Sequence, residues 1–107
     1  MSTKRRPRKS QAMRFLEEIT SGPLNLAELL GSIRQGEELS HAEFAAKLGI
    51  SRSHLCDIEK GRKAVSWPRA IEFAEILGYS KDQFARLALQ TQINQAGLPY
   101  KVVIEAA

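Results

Sequence analysis

The chain has 107 residues, of which 43% are hydrophobic and 26% charged, proportions typical of a globular protein with one domain. No apolar run approaches the roughly 18 residues that a membrane span needs, and no apolar segment follows the basic N-terminus as in a secretory signal. The lone cysteine, Cys56, excludes an intramolecular disulfide and favours a reducing, cytoplasmic location.

The formal charge of +4 is unevenly distributed along the chain. The first nine positions contain no acidic residue and five basic ones: Lys4, Arg5, Arg6, Arg8 and Lys9. A second basic window runs from Lys47 to Arg69, with six basic residues and two acidic ones. A basic arm and a basic patch are what a surface that binds a polyanion needs.

Two segments precede the main body. Residues 1–10 are polar and basic and contain Pro7, which predicts a disordered arm, either a solubilising tail or a segment that wraps a nucleic acid. Residues 11–22 are predicted to form a helix and a linker, because four apolar residues have helical spacing: Ala12, Phe15, Leu16 and Ile19. This helix could pack on the body or on a partner subunit.

Residues 23–97 are predicted to form a compact body of five helices with short connections. We expect the helices at 25–35, 41–48, 52–60, 66–77 and 80–97. Each has a favourable N-cap at its start, namely Asn25, Ser40, Ser51, Ser66 and Ser80. Glycines end them, namely Gly36, Gly49, Gly61, Gly78 and Gly97.

The second and third body helices are joined by a very short turn. Ser40 and Glu43 have the spacing of a capping box. Gly49 stands where the chain leaves the second helix and needs a left-handed residue. The third helix buries only Leu55 and Ile58, and its polar residues are concentrated near its start. Such a helix could not fold alone, so we expect it to present a surface.

Residues 98–107 have a different pattern from the body. Four apolar residues alternate with their neighbours, a period of two that predicts a short β-strand: Leu98, Tyr100, Val102 and Ile104. A single strand after an all-helical body has no partner in its own chain. It is therefore either a frayed tail or one half of a two-chain ribbon that forms a dimer.

The stretch from Leu39 to Arg62, LSHAEFAAKLGISRSHLCDIEKGR, resembles the helix-turn-helix of the Xre/Cro phage-repressor-like family of bacterial DNA-binding proteins. The positions that match together are Phe44, Ala45, Gly49, Ile50, Leu55, Ile58, Glu59 and Gly61. The resemblance extends over the five body helices but not over the arm, the N-terminal helix or the tail. It implies an all-α, five-helix lambda-repressor-like domain, to which this chain adds an N-terminal helix and a C-terminal strand.

The resemblance also implies which residues read bases. In this motif the second helix lies in the major groove with its first residues against base edges. The corresponding residues here are Arg52, Ser53, His54, Cys56 and Asp57. Arg52 could form a bidentate pair with guanine, and Asp57 could accept from a cytosine amino group. The alternatives are a solvated charge at Arg52 and a carboxylate at Asp57 that the phosphates repel.

Other residues are expected to contact the DNA backbone without reading sequence: Ser40, His41, Ser51, Lys60, Arg62 and Lys63. His41 departs from the family, which usually has Gln at this position, and a solvated charge run is the alternative for the basic residues. The basic arm would contact the minor groove or the backbone. Late in the first body helix, Arg34 is expected to form a structural salt bridge with Glu59 that braces the third helix.

An enzyme is the weaker rival to a DNA-binding protein. No nucleophile, base and orienting group stand at a recognisable spacing, and no phosphate-binding loop is present. His54 and Cys56 are two residues apart on a helix, so they diverge and cannot chelate one zinc ion as a pair. We expect no catalytic residue, no metal site and no cofactor.

The sequence therefore predicts a sequence-specific double-stranded DNA-binding transcriptional regulator, a repressor that acts as a homodimer on a palindromic operator in the bacterial cytoplasm, associated with the nucleoid. The stronger rival is an antitoxin of a type II toxin-antitoxin pair. Such a protein represses its own operon and also covers a toxin protein, for which the N-terminal helix and the alternating tail are available.

Overall fold

The computed structural model describes residues 25–105 and residue 107. Within them, five helices follow one another with short connections: α1 (Leu26–Gly36), α2 (His41–Leu48), α3 (Arg52–Glu59), α4 (Trp67–Leu77) and α5 (Lys81–Gln95). The predicted five-helix body is confirmed, and none of these helices is long and apolar enough to cross a membrane. The predicted arm over 1–10 and the predicted helix and linker over 11–22 lie outside the described residues.

Each helix begins at the cap that the sequence predicts. The Asn25 side chain accepts a hydrogen bond from the Glu28 N–H, and Ser40 does the same for Glu43. Both glutamates return a bond to the N-cap backbone and complete capping boxes. The N-caps of α3, α4 and α5 each accept from the N–H three residues later: Ser51, Ser66 and Ser80. These bonds fix where each helix starts.

The core is built from one apolar stripe on each helix. The largest fully buried side chains are Phe44, Phe73, Phe84, Leu29, Leu30, Ile33, Leu55 and Leu87. Helices α4 and α5 form the most extensive helix pair, while α3 packs on both α1 and α2. Ala45 is 1% exposed, and its small side chain lets α2 and α3 approach closely. The core therefore supports α3 from behind and leaves its polar face outward.

Three details correct the predictions. Helix α1 includes Gly36, which was predicted to lie just after its end. The left-handed residue that follows the helix is Glu38, at φ 58°, and not a glycine. There the Leu39 N–H reaches the Arg34 carbonyl at 3.0 Å and closes the turn. Helix α3 ends at Glu59, one residue earlier than predicted. In α4 the helical spacing of Ala70, Ile71, Ala74 and Leu77 predicts the buried stripe. In the structure Phe73 is buried as well, and Ile71 is only half buried.

The predicted C-terminal strand is not formed within the described chain, where residues 98–105 are neither helix nor strand. A strand needs a backbone partner, and here a side chain takes that place. The Gln90 amide donates to the Tyr100 carbonyl and accepts from the Val102 N–H, both at 2.8 Å. The predicted alternation persists in burial only over residues 101–105, where Val102 and Ile104 are half buried and Lys101, Val103 and Glu105 are exposed. Leu98 and Tyr100, predicted to belong to the same pattern, are exposed.

Gly31 lies in the middle of α1, where glycine is the least favourable residue after proline. A Cβ at this position would lie 3.6 Å from Glu59 Oε1, which is ordinary van der Waals contact. We therefore expect Gly31→Ala to raise the free energy of unfolding by about 0.5–1 kcal/mol. Urea denaturation checks this, and a loss of stability would show that the site has no room for the methyl group.

Candidate nucleic-acid interface

A tight turn places α3 against α2. Gly49 has φ 76° and ψ 28°, a left-handed conformation that costs glycine little. The Ile50 N–H bonds to the Ala45 carbonyl at 3.0 Å, the long bond of a Schellman motif. Ile50 then packs against the core, and Ser51 caps α3 by accepting from the His54 N–H at 3.0 Å. The first turn of α3 is thereby fixed relative to α2.

The outer face of α3 carries all five residues that were predicted to read bases. Arg52 and Ser53, in the first turn, are exposed. Their side chains make no hydrogen bond or ion pair within the part of the chain that the structure describes. The other three are half buried: His54, Cys56 and Asp57. The start of α3 is thus the end of the helix most available to another molecule.

The last residue of α3 is held by an ion pair from α1. Arg34 Nε donates to Glu59 Oε2 at 2.9 Å, and Arg34 Nη2 donates to Glu59 Oε1 at 3.2 Å. The two side chains are only 13% and 11% exposed. Arg34 Nη1 also donates to the Leu39 carbonyl at 3.3 Å, in the connection between α1 and α2. One guanidinium therefore joins α1, the α1–α2 connection and the end of α3.

His41 contacts the same carboxylate, which the sequence did not indicate. Its Nε2 atom lies 3.3 Å from Glu59 Oε1, an ion pair when the imidazole is protonated. The side chain is 36% exposed, so part of the ring remains accessible at the start of α2. His41 was predicted to contact the DNA backbone, and in the structure it joins the first residue of α2 to the last residue of α3.

The basic loop that follows α3 folds back on the helix. Gly61 has φ 77°, and the Arg62 N–H donates to the Asp57 carbonyl at 2.8 Å, a second Schellman motif. This turn brings Arg62 Nη1 to 3.3 Å from Asp57 Oδ1. The Asp57 carboxylate is therefore paired with a cation, which reduces the repulsion that a phosphate would exert on it.

Three of the six basic residues between Lys47 and Arg69 have internal contacts. Lys47 and Arg62 are each paired with a carboxylate, and the Arg69 guanidinium lies 5.7 Å from the centroid of the Phe73 ring. The other three are exposed and have no acidic partner among the described residues: Arg52, Lys60 and Lys63. They lie at the start of α3, at its end and in the loop, so the whole length of the helix is flanked by cations available to an anionic ligand.

Trp67 adjoins this surface and was not singled out in the sequence. It is the first residue of α4, directly after the Ser66 cap, and is 49% exposed. A large aromatic side chain next to a basic loop was the signal that could have indicated it.

Within residues 25–105, no three His, Cys, Asp or Glu side chains come together as a metal site would require.

Comparison with known proteins agrees with this geometry. A protein-family model described as a helix-turn-helix domain matches residues 25–87, more than half of the chain. The match includes α1 to α4, the first half of α5 and every interface residue described above. No curated protein and no solved structure matches the chain.

Proposed function

This chain belongs to the helix-turn-helix domain family, and we propose that it is a sequence-specific double-stranded DNA-binding transcriptional regulator that acts as a repressor. The observation that supports this most strongly is the exposed start of α3. Among the described residues, the Arg52 and Ser53 side chains have no partner there, and Lys60 and Lys63 at the other end have no acidic partner. A helix flanked by unpaired cations suits insertion between two phosphate backbones.

In the proposed complex, α3 lies in the major groove. Arg52 reads guanine through a bidentate pair, while Ser53 and the half-buried His54 and Cys56 contact neighbouring base edges. Asp57 accepts from a cytosine amino group, and its pairing with Arg62 keeps it compatible with nearby phosphates. The residues predicted to contact the backbone position the helix without reading sequence: Ser40, His41, Ser51, Lys60, Arg62 and Lys63.

One α3 helix spans only a few base pairs, so a single copy reads a half-site. We propose that the protein acts as a homodimer on a palindromic operator, with half-sites about one helical turn apart. A small domain that occupies such a site can repress by excluding other proteins, without a separate activating surface. The basic residues of the predicted arm over 1–10 would add contacts to the minor groove or the backbone.

An antitoxin is the alternative proposal, since such a protein binds its own operator and also covers a toxin. The exposed apolar side chains Leu98, Tyr100 and Val103 provide surface for a protein partner. Expression together with the neighbouring genes and affinity purification would separate the two. Co-purification of a small protein encoded beside this gene would favour the antitoxin, and a homodimer alone would favour the simple regulator.

Lys63→Ala is expected to weaken DNA binding to a similar extent on all sequences, because a phosphate contact carries no sequence information. The slope of log affinity against log salt should become shallower by about 1, since one counterion fewer is released. Fluorescence anisotropy with a labelled duplex at several salt concentrations measures both quantities. Lys81→Ala is the matched control, because Lys81 is an exposed lysine on α5. Equal slopes for the Lys63 variant and the wild type would contradict the backbone contact.

A further inference from the structure

Residues 100–105 of the tail have one backbone edge that is hydrogen-bonded to α5 and an opposite edge that has no hydrogen bond within the described chain. In an extended segment, the N–H and C=O groups of alternate residues point to opposite edges. Gln90 occupies one edge and bonds Tyr100 and Val102 as the peptide of a neighbouring strand would. The opposite edge carries the N–H and C=O groups of three residues that have no hydrogen-bond partner within the described chain: Lys101, Val103 and Glu105.

We propose that this open edge pairs with the same edge of a second copy of the chain. The two segments form an antiparallel ribbon whose two-fold axis passes between the two copies of Val103. This inference rests on the proposed function, because the ribbon supplies the dimer that a palindromic operator requires. It deepens that function by naming the surface through which the two copies associate.

The charges of the tail select this register. With the two copies of Val103 opposite each other, Lys101 of each copy lies opposite Glu105 of the other, so two cross-strand pairs of opposite charge form. A parallel arrangement in register would place lysine opposite lysine and glutamate opposite glutamate. An antiparallel arrangement shifted by two residues would place each lysine opposite Val103 or Ala107, depending on the direction of the shift, and would form no pair of opposite charge. The segment 101–105 is therefore complementary to itself in one antiparallel register.

Apolar surface and anchoring support the same arrangement. Tyr100 and Val103 are 63% and 67% exposed, although both are large hydrophobic residues. Pairing would bury Val103 against its copy at the centre of the ribbon. A two-stranded ribbon is only marginally stable by itself. Here each strand is already held to its own body by Gln90 and by the half-buried side chains of Val102 and Ile104.

Charge reversal tests the register directly. Lys101→Glu places glutamate opposite glutamate twice, and Glu105→Lys places lysine opposite lysine twice. We expect either single variant to self-associate about tenfold more weakly than the wild type at low ionic strength. An equimolar mixture of the two variants should dimerise like the wild type, because each strand of the mixed dimer carries the charge that the other needs. The double variant Lys101→Glu/Glu105→Lys should also dimerise. Sedimentation equilibrium measures all of these.

Three outcomes would overturn the proposal: a monomeric wild type, single variants that dimerise as well as the wild type, or a mixture that stays monomeric. Val103→Pro provides a second test, because proline removes the central N–H donor, and it should abolish the dimer while the helical circular dichroism is retained.

A test with a pool of random duplex DNA separates this inference from the proposed function. DNA binding by a wild type that is monomeric would overturn the ribbon and the homodimer but leave DNA recognition by α3 standing. A dimeric wild type that binds no duplex DNA would overturn the proposed function alone.

Discussion

Arg34→Ala is expected to lower the free energy of unfolding by about 3 kcal/mol. The Glu59 carboxylate is 11% exposed and receives two charge-assisted hydrogen bonds from Arg34. Without them, the only contact left to the carboxylate among the described residues is His41 at 3.3 Å, so the charge of Glu59 is stranded near the core. Urea denaturation followed by circular dichroism measures the change, which should appear as a lower midpoint.

Two further variants give this prediction its controls. Lys47→Ala removes an ion pair with Glu37 whose side chains are 42% and 33% exposed, so its cost should stay below about 0.5 kcal/mol. Arg34→Lys keeps the charge but cannot reproduce the bidentate pair, so an intermediate loss is expected. Equal costs for Arg34→Ala and Lys47→Ala would show that the Arg34–Glu59 pair does not brace α3.

Arg52→Ala is expected to weaken binding to the preferred DNA site by about 1–3 kcal/mol, roughly 5- to 160-fold. Arg52 is exposed in the first turn of α3 and has no partner in the described chain, so it is available for a bidentate pair with guanine. The loss should concentrate at one base pair of each half-site. Competition binding with single-base variants of that site measures this.

Lys63→Ala is the matched control for Arg52, because it removes a positive charge from the same surface without removing a base contact. Lys63→Ala should weaken binding to the preferred site and to each of its single-base variants by about the same factor. If Arg52→Ala retains the full preference at every position, Arg52 is a solvated charge and α3 reads sequence through other residues.

The parts of the fold that sequence predicts are those with local signals. The five N-caps and the Gly49 turn depend on a side chain and a backbone amide a few residues apart, so the sequence alone specifies them. The pairing of Arg34 with Glu59 was expected because of the resemblance to a family, since 25 residues separate the two partners. The structure places their charged groups 2.9 Å apart.

Other features depend on contacts that spacing alone does not indicate. Asp57 and Arg62 are five residues apart, and only the left-handed turn at Gly61 brings them together. His41 lies near Glu59 because α2 and α3 cross there. The spacing of the two residues in the sequence does not show which way the imidazole ring points. The tail has the period of a strand, yet its hydrogen-bond partner is the Gln90 side chain on α5, and no backbone segment of the described chain pairs with it.

The central claim is that α3 reads a specific DNA sequence, and selection from a pool of random duplex DNA tests it most directly. We expect the wild type to enrich a two-fold symmetric motif with half-sites about one helical turn apart. We expect Arg52→Ala to lose the preference at one position of each half-site. A pool that remains random after selection with the folded wild type, or a motif that Arg52→Ala leaves unchanged at every position, would contradict the claim.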